Sequence, residues 1–113
     1  MRGEVHWAEV PRSGSAQTGR RPVIVISHDG FNRTPGWKSI IVVPDSTSAS
    51  QGKRGPTVVG IPPGNAGLPS ASFAICHQVT TLDRAKLTKR TGTLAAEVLT
   101  AVELGLKAAM DLE

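Results

Sequence analysis

The sequence predicts a mainly β fold closed by one C-terminal helix, and three observations carry that expectation. Twelve glycines and eight prolines in 113 residues favour many turns and short strands over long helices. Two unbroken apolar runs of β-branched residues, Val23–Ile26 and Ile40–Val43, suit strands buried on both faces. Only after Gly92 do apolar residues recur at spacings of three and four.

The elements follow in order. Residues 2–10, RGEVHWAEV, set Val5, Trp7 and Val10 against Glu4, His6 and Glu9, with a phase slip near Ala8, and predict a first strand. Residues 11–19 are rich in Gly, Ser, Arg and Gln and read as a polar loop. Proline cannot donate to a sheet ladder, so Pro22 is expected to open the second strand, 22–27. A turn or helical turn at 28–36 contains Gly30, Asn32, Pro35 and Gly36, and the third strand runs from Trp37 to Val43. A second polar loop, 45–56, leads to a fourth strand at 57–61. PPGNAGLP, 62–69, is turn chemistry throughout, and the fifth strand spans 72–79. A basic connection at 83–90, with room for one helical turn, precedes a short edge strand at Thr91. Thr93 is a suitable N-cap for a helix to Asp111, with Glu97 in its first turn. Leu94, Val98, Ala101, Val102, Leu106 and Ala109 form its apolar line. Leu99, Leu104 and Leu112 lie off that line and either widen the face or meet a second copy.

The length predicts a single domain, 1–113, with a modest core filled by Val, Ile, Leu and Ala, since aromatics are only 4%. One cysteine, Cys76, excludes an internal disulfide and fits a reducing compartment. No apolar stretch resembles a signal peptide or spans a bilayer, so a cytoplasmic location is expected. Net charge is +4, unevenly spread. Residues 12–54 carry seven basic side chains against Asp29 and Asp45, whereas 91–113 carry four acidic ones against Lys107. The basic half points to a polyanionic partner such as nucleic acid, or simply keeps the chain soluble.

No P-loop, G-x-S-x-G or G-x-G-x-x-G occurs, and no Cys-x-x-Cys or grouped histidines suggest a built-in zinc site. No close carboxylate pair suggests glycosidase chemistry. Arginines, hydroxyls and three histidines remain, an inventory that can cleave phosphodiesters through positioning and charge stabilisation. Arg20 and Arg21 sit at the mouth of a buried strand, either as solvated side chains or as guanidinium groups held to grip phosphate.

Five segments carry a family resemblance. RGEVHWAEV, GSAQTGRRPVIVIS, FNR at 31–33 with IIVVPDSTS at 40–48, CHQVTTLDRAKL at 76–87, and the Gly92-to-LGLKAAM finish resemble, in order and spacing, the MazF/PemK toxin endoribonucleases. The resemblance covers nearly the whole chain. It implies a compact SH3-like β-barrel of the PemK/CcdB type with a C-terminal helix, a symmetric homodimer, and sequence-specific cleavage of single-stranded RNA. It implies no cofactor and no metal: the 2′-hydroxyl attacks the adjacent phosphate. It also implies an antitoxin partner whose acidic, disordered tail lies across the basic groove.

Residue by residue, Arg21 falls on the family's catalytic arginine, with charge stabilisation as the expected role. The catalytic threonine follows the family's "vvP" by two residues, which is Ser46 here, with Thr47 as neighbour and alternative. In one branch of the family a histidine lies in the first loop, and an arginine and an aspartate flank the cysteine of the fifth strand. Those positions read Ser15, Ile75 and His77, so that acid–base set is missing. His77 is either a proton-transfer or base-reading group or a hydrogen-bonded structural histidine. Arg20, Arg33, Lys53, Arg54 and Gln78 are the expected RNA contacts. Trp7 is expected in the core, and Trp37 either packs or stacks on a base. Cys76 is expected as a buried thiol. The alternative function is a non-catalytic barrel of the same fold that binds RNA or poisons a protein such as gyrase. Retention of Arg21 and a hydroxyl at Ser46 favours the enzyme.

Overall fold

The computed structural model describes residues 1–11, 18–53 and 55–112. Most of the expected first loop, and Arg54, lie outside them. The described chain forms β1 (Glu4–Pro11), β2 (Thr18–Val25), α1 (Asp29–Asn32), β3 (Ser39–Ser46), β4 (Val58–Ile61), β5 (Ser72–Ile75), β6 (Thr80–Asp83), β7 (Leu87–Thr93) and α2 (Ala96–Met110). The strands run β4-β5-β3-β2-β1-β7, with β6 added beside β3. Every pairing is antiparallel. The mainly β architecture with a terminal helix is as expected. The sheet is not closed, because β4 and β7 end its path.

The apolar runs form the centre. Val23, Ile24 and Val25 pair with Pro44, Val43 and Val42, and all but the proline are 0% exposed. Alternation sends their side chains to opposite faces. Val5, Ile24 and Val43 join Val98, Val102 and Leu106 of α2, whereas Ala8, Val10, Val23, Val25, Ile40 and Val42 join Leu82 on the other side. Each fully buried Val or Ile contributes about 1.5–3 kcal/mol of burial.

Two prolines decide where pairing changes. Pro22 does not open β2; it sits inside the strand opposite Trp7 of β1. The Ile26 N–H donates to Ile41 O at 3.0 Å, and alternate residues point the same way, so position 22 faces β3. The β2–β3 ladder begins one residue later, at Val23, so the missing N–H leaves no gap in it. Pro44 lies at the second changeover, where β3 stops pairing with β6 at Val42 and starts pairing with β5 at Asp45.

The later elements differ from the sequence expectation. The fifth strand ends at Ile75, and residues 76–78 form a 3₁₀ turn whose first N–H bonds Thr57 O at 2.9 Å. The basic connection at 83–90 is two strands, β6 and β7, around the helical turn Arg84–Lys86. Asp45 and Ser46 belong to β3 rather than to the following loop. Thr93 does not cap the helix, because its pairing with Glu4 keeps it in β7. The N-cap is Ala95, whose N–H is met by Asn65 Oδ1 at 3.0 Å. Leu99 packs on the core, whereas Leu104 and Leu112 are exposed. Among the described residues no helix is long and apolar enough to cross a membrane.

Helix α2 approaches the sheet through Gly105. A Cβ there would lie 2.7 Å from Cys76 Sγ and 2.8 Å from Val59 Cγ2. Burial pushes the Cys76 thiol up to about 11, so it is an inert packing group. Gly105→Ala should therefore destabilise the fold by about 1–3 kcal/mol through overpacking, read as a lower urea midpoint. A midpoint equal to wild type would show that the helix shifts freely.

Candidate active site

Where β2 and β3 part, a cleft of about 340 Å³ opens. Its lining includes Arg20, Arg21 and Pro22 from β2, Asp45 and Ser46 from β3, and Thr47 just beyond. Trp7, Leu68, Pro69, Ser70 and Ser72 complete the wall. Two strand ends thus bring a pair of guanidinium-bearing residues and a pair of hydroxyl-bearing residues to one opening. Neither arginine forms a salt bridge with a described carboxylate. The Arg20 guanidinium carbon lies 5.4 Å from the centroid of the Trp7 ring, a cation–π contact. Ser46 Oγ accepts the Ser48 N–H at 3.2 Å, and Thr47 is exposed.

Two residues of the cleft have no counterpart in the sequence expectation as site groups. Trp7 is half-buried and lines the cleft instead of joining either core cluster. Asp45 is 1% exposed, and both of its carboxylate oxygens lack a hydrogen-bond partner, as does the buried Ser72 hydroxyl. Desolvation dominates its titration. It outweighs the pull of the Ser72 hydroxyl, the Ser46 N–H and the Arg21 charge, all outside bonding geometry, and pushes the carboxyl up to about 7. The available sequence signal is an acid placed directly after an apolar strand run, IIVVPD.

The other expected site residues lie elsewhere. His77 is exposed on the 3₁₀ turn after β5, with Nδ1 2.9 Å from Thr57 Oγ1. Gln78 follows it on the same turn. Lys53 ends a 3₁₀ turn, Ala49–Lys53, and is exposed. Arg33 follows α1, with Nη2 3.6 Å from Asp29 Oδ2. None of these four lines the cleft. The adjoining Asn32 is buried: its amide donates to Ser27 O at 2.7 Å and to Asp29 Oδ1 at 3.0 Å. That amide and the Arg2 N–H hold Asp29 down at about 2. Among the described residues no group of three or more His, Cys, Asp or Glu could hold a metal ion.

The family model for the PemK-like, MazF-like toxin of type II toxin-antitoxin systems matches residues 1–110. The chain is 34% identical over 112 residues to the endoribonuclease MazF6 of Mycobacterium tuberculosis, covering 98% of this chain and 96% of that protein. It is 32% identical over 112 residues to the endoribonuclease EndoA of Bacillus subtilis, covering 98% and 94%. A mycobacterial endoribonuclease solved in complex with its cognate antitoxin superposes with a TM-score of 0.78 at 20% identity, over 100% of this chain and 96% of that one. The chain belongs to the PemK-like, MazF-like toxin family of type II toxin-antitoxin systems.

Asp45 makes stability depend on pH. Its folded value, about 7, stands above the ordinary 3.8, so folding disfavours the charged form and stability falls as pH rises between those values. Asp45→Asn should remove that slope. It should gain on the order of a few kcal/mol relative to wild type between about pH 4 and about pH 8, read from urea midpoints. Parallel wild-type and variant curves across that range would contradict the assignment.

Proposed function

We propose that this protein is the toxin of a type II toxin–antitoxin pair and cleaves single-stranded RNA without a metal. The observation that carries this reading is the convergence of Arg21 and the Ser46 and Thr47 hydroxyls on one cleft. It is supported by the endoribonuclease relatives, which match nearly end to end.

In the proposed reaction the 2′-oxygen of the nucleotide before the cut gives its proton to water and bonds to phosphorus. The bond from phosphorus to the 5′-oxygen breaks and that oxygen takes a proton from water, leaving a 2′,3′-cyclic phosphate and a 5′-hydroxyl. Arg21 binds the phosphate oxygens and stabilises the charge that develops on the phosphorane, a contact that strengthens in the transition state. Its permanent charge suits it to this role and not to taking up a proton. Ser46 or Thr47 donates a hydrogen bond to a phosphate oxygen. Arg20, held over Trp7, adds a second cation for the adjoining phosphate. Because His77 does not line this protomer's cleft, its role in proton transfer requires a rearrangement or a neighbouring copy.

The same reading takes a homodimer and an antitoxin with an acidic disordered tail as partners, and a cytoplasmic location. The exposed Leu104, Met110 and Leu112 at the end of the chain supply apolar surface for a second copy. The cleft arginines, which form no salt bridge with a described carboxylate, complement an acidic tail.

The purified protein should cut a long single-stranded RNA at a recurring short word in EDTA and leave cyclic phosphate ends. Arg21→Ala should lower the rate by about a hundredfold or more. Of Ser46→Ala and Thr47→Ala, the larger loss identifies the working hydroxyl. No product from a folded wild-type protein, with salt-dependent RNA binding retained, would replace the enzyme with an RNA binder. His77→Ala should shift the neutral limb of the pH–rate profile if the imidazole carries a proton. An unchanged profile would leave it a structural partner of Thr57.

A further inference from the structure

A second cleft, of about 580 Å³, lies at the other end of β3, with Asn32, Arg33, Trp37, Lys38 and Arg84 among its lining residues. The candidate active site is at the Ser46 end of the strand and this cleft at the Ser39 end. Seven residue steps separate them, roughly 23 Å.

Two features set it apart from ordinary surface. First, Trp37 of its lining and the adjoining Phe31 are exposed yet fixed. Phe31 is 53% exposed and Trp37 41%, their ring centroids are 5.2 Å apart at an interplanar angle of 31°, and the Trp37 indole N–H donates to Ser39 O at 2.7 Å. Such a pair presents an apolar face to solvent with little conformational freedom left to lose on binding. Second, the surroundings are cationic. Arg84 spends its donors on Asn32 O, Trp37 O and the Met1 sulfur, and neither it nor Lys38 has a carboxylate partner among the described residues. Arg33 is 72% exposed; of the nearby acids, Asp29 also accepts from Arg2 N–H and the Asn32 amide, and Asp83, opposite Ser39, accepts the Ala85 N–H.

We propose that this cleft is a second single-stranded RNA site that holds a flank of the substrate several nucleotides from the scissile bond, an inference that rests on the ribonuclease reading above. A base stacks on the Phe31–Trp37 pair, and Arg33 and Lys38 take the adjoining phosphates. Stacking platforms interleaved with cations are how proteins track a single strand without reading its sequence. A second copy of the chain is a poorer occupant. A two-fold interface through this patch would gather two sets of Arg33, Lys38 and Arg84 into one contact. Rigid aromatics beside exposed cations match a chain that carries both π-faces and phosphates.

Two measurements test this with the full chain. In Trp7→Phe, Trp37 is the remaining tryptophan. Titrating that variant with a mixed-sequence 12-nucleotide RNA, 2′-O-methylated throughout and so uncuttable, should quench Trp37 emission saturably. Added Lys38→Glu should weaken the quench about tenfold. Second, the ratio of kcat/KM on a long RNA to that on a six-nucleotide RNA spanning the cut word should fall about tenfold in Trp37→Ala. Trp37 emission blind to RNA, an unchanged ratio, or loss of the dimer on sedimentation in Trp37→Ala would each overturn the proposal, the last by assigning the patch to a second copy. Quenching responsive only to an acidic peptide would overturn it too. Binding of the methylated RNA needs no cleavage, so a protein that cuts nothing would refute the ribonuclease reading and leave the quench to be judged separately.

Discussion

The pairing of β2 with β3 is the constraint on which the rest depends. Three residues of one strand meet three of the other, and the side chains above and below them are walled by α2 on one face and by Leu82 with its neighbours on the other. A strand pair buried on both faces cannot slip by one residue without exchanging its two cores. Proline then ends the pairing on each side. Pro22 offers no donor where β3 leaves β2, and Pro44 offers none where β3 passes from β6 to β5. The cleft is therefore a product of ladder chemistry: two strands are locked together for three residues and free to diverge at the fourth. Arg21 and Ser46 stand on the rigid ends of that fork, so their positions are set by the core.

The two aspartates of the basic half show how position alone decides charge. Asp29 is met by an amide, a backbone N–H and Arg33, and is held down at about 2. Asp45, one strand away, is sealed without a hydrogen bond and rises to about 7. The first fastens α1 to the start of the chain. The second spends stability at the floor of the cleft, where an unsatisfied group is most informative, since buried polar atoms elsewhere are nearly always paired.

How much of this was legible in the sequence varied with its physical cause. The buried strands and α2 were, because unbroken β-branched runs and a helical spacing have few other solutions. Arg21, Ser46 and Thr47 were placed by motif position, and the fold brings them together. Of β7 only the short edge strand at Thr91 was legible: LTKRTGT is polar and largely exposed, and its extension is imposed by pairing with β1, across register shifts at Val5/His6 and Trp7/Ala8. The end of β5 was hidden for the converse reason, since Cys76 and Val79 are apolar and look like strand, yet the chain turns because Cys76 N–H is claimed by Thr57. Trp7 alternates like a core residue, and only the departure of β3 from β2 leaves its ring facing a cleft.

Charge separation along the chain becomes separation in space. Both clefts draw their cations mainly from residues 20–38, with Arg84 added from the turn before β7. Glu97 and Glu103 of the last segment ride on α2, and Glu103 is held by Arg2 at 2.7 Å. Were the acids interleaved with the arginines, each guanidinium would find a carboxylate within its own surface and the cost of exchanging it for a phosphate would rise. Keeping them on the helix leaves Arg20 and Arg21 without a salt bridge to break among the described residues. A polyanion that enters then displaces only water and counterions, so affinity is gained at low salt and surrendered steeply as salt rises. An acidic antitoxin tail would compete on the same terms, and the advantage it needs over RNA must come from contacts outside the arginines, such as the Trp7 wall of the cleft.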